Sequence, residues 1–212
     1  MQCSICQTRR SRRFCPGVRG EICSLCCGEE REVTVDCPLD CEFLREGRRH
    51  EKAPARNPAE FPNRDIQVSE ELLRANQQLL IFLSLTIFRT AMHVPGVVDS
   101  DVLEALDGLI RTYRTLQSGV YYDSHPNNPL AGAIYATVQN ALAEYRGSEQ
   151  RELGMTKTRD ADVLGLLVFL QYFALDRDNG RRRGRAFLGA LREFHPPAPE
   201  ASGSSPSSVI LR

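Results

Sequence analysis

Eight cysteines are the densest group of potential metal ligands in this sequence of 212 residues. All of them lie between Met1 and Cys41, in the order C-x2-C, x8-C, x7-C-x2-C-C, x9-C-x3-C. Pairs that are two or three residues apart suit zinc, because one tight turn directs both sulfurs at the same ion at about 2.3 Å. Eight thiolates complete two tetrahedral sites, so the sequence predicts two Zn²⁺ ions. The predicted ligands are Cys3, Cys6, Cys15, Cys23, Cys26, Cys27, Cys37 and Cys41.

The neighbouring residues Cys26 and Cys27 bear on how the ligands divide between the two sites. Adjacent side chains diverge in most backbone conformations, so we expect these two thiols to serve different ions. This favours two interleaved sites. One site is then predicted to contain Cys3, Cys6, Cys23 and Cys27, and the other Cys15, Cys26, Cys37 and Cys41. An exchange of Cys26 and Cys27 is also compatible with the spacing.

The run CSIC...CPG...CSLCC...CPLDC resembles the HIT-type and MYND-type zinc fingers. In those families an opening C-x2-C shares one zinc with a later cysteine pair, which implies Cys23 and Cys27 here. A second zinc takes the intervening pair and a terminal H-x3-C. This sequence has no second ligand soon after Cys15, and Cys37 stands where the families more often have histidine. The resemblance covers about one fifth of the chain and implies a protein-interaction module.

Other uses of the cysteines are a disulfide framework and a redox switch. Disulfides are expected of small secreted domains, but no apolar stretch with a basic start precedes Cys3, which favours a cytoplasmic protein. Zinc-bound thiolates can be oxidised, so a redox switch is an open alternative. Four thiolates per ion leave no coordination position for a reacting water, so we expect structural sites. A segment this short needs the metal to fold.

Arginine is concentrated in the runs RRSRR and RRRGR, although 27 basic and 27 acidic residues give no net charge. Arginine favours forked contacts with phosphate and carboxylate, so both runs are candidate contacts for nucleic acid or an acidic partner. The first run also balances the negative charge of two tetrathiolate sites. The second run is predicted to begin a helix, where cations oppose the helix dipole. These residues are Arg9, Arg10, Arg12, Arg13, Arg181, Arg182, Arg183 and Arg185.

The remaining chain is predicted to be helical, with no convincing strand. We divide the sequence into a cysteine-rich module (1–51), a proline-containing linker (52–68), an α-helical bundle of about five helices (69–194) and a disordered tail (195–212). A short helix after Cys41 should turn Phe43 and Leu44 toward the metal core. Helices are predicted from the N-cap Ser69 to about Met92, over 101–117, from Asn128 and Pro129 to about Tyr145, from Asp160 or Asp162, and within RRRGRAFLGALREF.

Catalytic sequence motifs are not found in this chain. There is no G-x-S-x-G, H-E-x-x-H, P-loop or glycine-rich dinucleotide turn, and helix capping explains carboxylates such as Asp99 and Asp101. The apolar run at 79–88 is too short to span a bilayer, so no membrane association is expected. We predict a non-catalytic zinc-binding interaction or adaptor protein with a protein partner. The alternative is a nucleic-acid-binding zinc-finger protein that uses the arginine runs.

Overall fold

The structure is a computed structural model that describes residues 1–51 and 56–195. Within these ranges the fold is mainly α-helical, as the sequence predicts, with one small sheet. The strands are β1 (Arg13–Cys15) and β2 (Gly20–Ile22). The helices are α1 (Ser24–Glu29), α2 (Glu42–His50), α3 (Glu70–Ala75), α4 (Gln77–His93), α5 (Asp99–Gln117), α6 (Pro129–Leu153), α7 (Asp160–Arg177) and α8 (Ala186–Phe194).

The cysteine-rich module contains the one hairpin that the sequence did not predict. Strands β1 and β2 pair antiparallel, with Arg13 opposite Ile22 and Cys15 opposite Gly20. Each strand has three residues, which is too short to show the alternation by which a strand is recognised. After the hairpin, α2 buries Leu44 among the cysteines, as predicted. The ring of Phe43 lies 3.9 Å from the Arg13 guanidinium carbon.

The bundle is built around the packing of α5 against α7, with α6 lying on α4 and α5. Its core consists mainly of aliphatic side chains from α4, α5, α6, α7 and α8, with a few aromatic rings, and includes Leu39 from the cysteine-rich module. Helix α7 is buried on nearly every side, which explains why its sequence VLGLLVFLQYFAL is almost wholly apolar. The cysteine-rich module has a second, smaller core that is formed by its cysteines with Ile22, Val35 and Leu44.

Local capping signals placed several helix starts correctly. The Ser69 hydroxyl accepts a hydrogen bond from the Leu72 amide at 3.1 Å, and the Asn128 side chain caps α6. The helix predicted from Ser69 to Met92 is interrupted at Asn76, which leaves helical geometry and separates α3 from α4. Helix α6 continues past Tyr145 and ends where Gly154 adopts a left-handed conformation.

The segment predicted as a linker is described from residue 56 onward, and there it contacts the bundle. A 3₁₀ turn at Pro58–Glu60 is followed by a tilted ring contact between Phe61 and Tyr172. Arg114 forms an ion pair with Asp65 at 2.7 Å. The predicted disordered tail lies outside the described residues from position 196 onward. Within the described ranges, no helix has the length and apolar character needed to cross a membrane.

Candidate metal centre

Four cysteine side chains converge on one point in the N-terminal module. The sulfurs of Cys3, Cys6, Cys23 and Cys26 all lie within 4.8 Å of one another. Sulfurs around a tetrahedral zinc, with bonds of about 2.3 Å, stand about 3.8 Å apart. Cys3, Cys23 and Cys26 are buried, and Cys6 is partly exposed. This group therefore has the donor number, the donor chemistry and the spacing to hold a metal ion.

The local fold brings Cys26 beside Cys23 in this group. Cys23 is the N-cap of α1, and its sulfur accepts a hydrogen bond from the Cys26 amide at 3.5 Å. Cys27 lies about 100° further around the helix than Cys26, so the two neighbouring side chains diverge. The first group therefore contains Cys26 where the preferred division placed Cys27, which is the exchange that the spacing also allowed.

The opening C-x2-C pair is held by a tight turn. The Cys3 carbonyl accepts the Gln7 amide at 2.9 Å, and the Cys3 amide donates to the Arg9 carbonyl at 2.9 Å. Gln7 has a φ of 53°, a left-handed conformation that lets the chain reverse direction here. The turn thus presents Cys3 and Cys6 to α1.

Electrostatics in this group favour a bound cation. Hydrogen bonds from Thr8 lower the pKa of Cys6 to about 5. Burial and, after it, the neighbouring thiols raise the pKa of Cys26 to about 12. Four thiolates this close repel one another, and a divalent cation at their centre offsets that repulsion.

The other four cysteines line a small cavity in the same module. Its volume is about 20 Å³, which is room for one water-sized sphere. Side chains that surround it include Arg13, Phe43 and Leu44. The four cysteines in its wall are Cys15, Cys27, Cys37 and Cys41. Burial raises the pKa of Cys37 to about 11, and the charges of Cys15 and Cys41 add to this effect.

The first arginine run lies beside both cysteine groups. Although burial opposes the shift, the neighbouring Cys23 and Cys6 thiols raise the pKa of Arg9. The Arg13 guanidinium approaches the Cys27 sulfur at 3.9 Å. Arg10 and Arg12 are exposed. In the described part of the chain, none of these four arginines forms an ion pair with a carboxylate. Arg9 is also exposed, and Arg13 is partly buried.

The second arginine run joins the cysteine-rich module to the bundle. It lies immediately before α8, with Arg185 at the N-cap, and does not form the first turn of the helix as predicted. Arg181 donates to the Arg31 carbonyl at 2.7 Å and to Glu51 at 2.6 Å. Arg183 lies 3.7 Å from Asp36, and Arg182 is exposed.

Arg185 makes the most extensive contacts of this run. Its guanidinium pairs with Asp36 at 2.6 Å and donates to the Val97 carbonyl at 2.8 Å. It also donates to the carbonyl of Cys37 at 3.4 Å. Arg185 thus links the bundle by a hydrogen bond to the backbone of Cys37, a cysteine of the second group.

Glu32 is the buried centre of the same junction. Its side chain is 0% exposed and accepts hydrogen bonds from Arg48 at 2.6 Å and Asn179 at 2.9 Å. The Arg185 amide donates to it at 2.9 Å. Glu32 has a φ of 54°, an uncommon left-handed conformation for a non-glycine residue that these contacts hold in place. Sequence reasoning missed Glu32, because no local pattern distinguishes it from a surface glutamate.

The fold and this cysteine group define a mainly helical protein with an N-terminal tetrathiol group that can hold a metal ion. Comparisons with protein-family models, with curated proteins and with solved structures found no match.

Proposed function

We propose that residues 1–51 bind two structural zinc ions and that the protein is a non-catalytic interaction or adaptor protein. The observation that carries the proposal is the convergence of four thiols, Cys3, Cys6, Cys23 and Cys26, within 4.8 Å. An all-sulfur set of four ligands is typical of structural zinc, and it leaves no coordination position for a substrate or a reacting water.

The second zinc ion is assigned to the four cysteines around the small cavity. Cys15 and Cys27 approach it from the hairpin and from α1, and Cys37 and Cys41 from the segment that precedes α2. The two ions would then share α1, with Cys26 facing one site and Cys27 the other. The proposed sites are interleaved, as in the HIT-type and MYND-type fingers that the sequence resembles, although Cys26 stands where the resemblance implies Cys27. The protein-interaction role is proposed from that resemblance.

The adaptor role is tested by partner capture from the protein's own cells. The full chain is tagged, purified under reducing conditions and compared with Cys23→Ser by quantitative mass spectrometry. Ser24→Ala is the matched control, because Ser24 is the exposed neighbour of Cys23 and is not a predicted ligand. We expect Cys23→Ser to lose the specific partners that Ser24→Ala keeps. Partner capture that survives complete removal of metal would contradict the proposal.

Nucleic-acid binding is the second candidate, and the exposure of Arg10 and Arg12 favours it. Arg181, Arg183 and Arg185 are already bonded within the chain, so a phosphate contact would depend mainly on the first run. Arginine contacts to phosphate release counterions, and the affinity should therefore fall steeply with salt. A titration of single-stranded and duplex DNA and RNA at low salt tests this, and no binding to any of them would eliminate the candidate.

A further inference from the structure

A groove of about 890 Å³ lies where the cysteine-rich module meets the bundle. One wall is the segment Pro38–Asp40 of the module, another is the C-terminal half of α4, and the third is the end of α8. We call this feature the junction groove. We propose that the junction groove binds an amphipathic α-helix of a partner protein, one that carries carboxylates beside its apolar side.

The apolar surface of the junction groove has helical spacing. Leu85, Phe88 and Met92 lie at i, i+3 and i+7 of α4, so they form one ridge along that helix. Met92 is 43% exposed, and Phe194 at the end of α8 is 68% exposed. A ridge of this kind receives the apolar side of a second helix, with its side chains packing between those of α4.

The charge of the junction groove indicates the chemistry of the partner. Arg89 and Arg192 line it, and neither forms an ion pair within residues 1–51 and 56–195. The third arginine in its lining, Arg185, is held by Asp36. Asp40 is the one carboxylate among the lining residues. The free charge is therefore positive, which favours a partner that places carboxylates opposite Arg89 and Arg192.

Of the two unpaired arginines, Arg89 is the stronger candidate for an ion pair with the partner. Arg192 lies in the last turn of α8, where the helix dipole already stabilises a cation. Next to Arg89, His195 closes one end of the groove through a hydrogen bond with Ser84 at 2.8 Å. Burial and the charge of Arg89 lower the pKa of His195. The imidazole is therefore neutral near pH 7 and adds no charge to the groove.

This inference rests on the proposed interaction function, because it names the chemistry of the partner. The test is to pan a phage-displayed library of randomised helical peptides against the zinc-loaded full chain. The enriched peptides are then labelled, and their dissociation constants are measured by fluorescence anisotropy. We expect peptides with apolar residues at helical spacing and flanking Glu or Asp. The double variant Arg89→Glu/Arg192→Glu should weaken their binding about tenfold or more.

One control variant outside the groove and one further variant within it show whether binding depends on the groove. Arg74→Glu/Arg111→Glu reverses the same number of charges at exposed positions of α3 and α5 and should leave binding unchanged. Met92→Asp changes an exposed position of the ridge and should repel an acidic peptide. The proposal is overturned if no peptide is enriched, if the enriched peptides lack acidic residues, or if the groove and control variants behave alike.

Failure of this inference can be distinguished from failure of the proposed function. If Arg89→Glu/Arg192→Glu still captures the cellular partner that Cys23→Ser loses, the partner binds elsewhere and the adaptor role stands. If neither variant alters capture, both proposals fail.

Discussion

At the scale of single residues, the proposed two-ion arrangement depends on the neighbouring cysteines Cys26 and Cys27, which it assigns to different ions. The N-cap sulfur of Cys23 accepts the Cys26 amide, and this places Cys26 on the same side of α1 as Cys23. We expect Cys26→Ser and Cys27→Ser each to reduce the bound zinc from two ions to one. Replacement of zinc by cadmium and ¹¹³Cd NMR would show which resonance each variant loses.

The structure predicts different resonances for the two variants. Cys26→Ser should remove the resonance that Cys3→Ser also removes. Cys27→Ser should remove the one that Cys15→Ser removes. The reverse pairing would restore the division preferred from the sequence alone. Loss of both resonances in every variant would mean that the two sites fold as one unit.

Burial changes the pKa of the Asp99 carboxyl group. The sequence favours Asp99 as a cap for α5. In the structure its carboxylate accepts hydrogen bonds from the amides of Phe187 at 2.8 Å and Leu188 at 3.1 Å. It therefore caps α8. Burial raises the pKa of Asp99 to about 7, although these two hydrogen bonds lower it.

A pH dependence of stability follows from that raised pKa. The folded state binds the Asp99 proton more tightly than the unfolded state does, so the contribution of Asp99 to stability increases as pH falls from about 8 to about 5.5. The free energy of unfolding of the wild type, minus that of Asp99→Asn, should rise over this range by about 2 kcal/mol. Urea denaturation of both proteins measures it. A difference that is flat or falls toward acid would contradict the raised pKa.

At the scale of secondary-structure elements, the turn before α8 fastens the cysteine-rich module to the bundle. Arg185 bonds to Asp36 and to the carbonyls of Cys37 and Val97. Arg185→Ala leaves these acceptors without a donor, so we expect a loss of about 1–3 kcal/mol in the free energy of unfolding. Hydrogen exchange should become faster in α8 and around Cys37.

Arg182→Ala is the matched control, because Arg182 lies in the same turn and is exposed. It should change the free energy of unfolding by less than about 0.5 kcal/mol. Equal effects of the two substitutions in urea denaturation would show that the contacts of Arg185 do not stabilise the junction.

Polar residues of the loop before α6 form hydrogen bonds that hold the loop in place. Tyr135 donates to Asp123, and its hydroxyl lies 2.8 Å from that of Thr112. The Thr112 hydroxyl also accepts the Ser124 amide at 3.0 Å. These bonds fasten the loop to α5 and α6, which accounts for its concentration of hydrogen-bonding residues.

Capping residues, which act within a few positions of the chain, predicted the starts of α3 and α6 correctly. Ser69 and Asn128 start helices because their side chains bond to amides two or three residues away. The break at Asn76 was missed, since the apolar residues on both sides continue one helical pattern. The bond between Glu32 and the Arg185 amide was also missed, because the two residues are 153 positions apart. The converging cysteines were predictable as ligands, but their division depended on where α1 begins.

At the scale of the whole molecule, the described residues form two hydrophobic cores. The smaller core is made of the cysteines and a few aliphatic residues, and the larger lies within the bundle and includes Leu39 of the module. We expect a strong chelator to unfold the module while the bundle keeps its helices, because a core as small as the first cannot stay folded without metal.

Circular dichroism and hydrogen exchange together check this expectation. The loss of helical signal should correspond to α1 and α2, which comprise 6 and 9 residues. Protection should be lost across residues 1–51 and reduced in α8, which the module contacts. Unfolding of the whole chain on chelation would contradict the independence of the bundle core. An unchanged spectrum would contradict folding by metal.

The most direct test of the central claim is native mass spectrometry of the full chain, purified with its thiols kept reduced and without added metal. Two tetrathiolate sites predict a mass equal to that of the chain with two zinc ions, and release of both ions in acid. A mass that shows disulfides and no metal, or a single zinc ion at full occupancy, would contradict the two-site account.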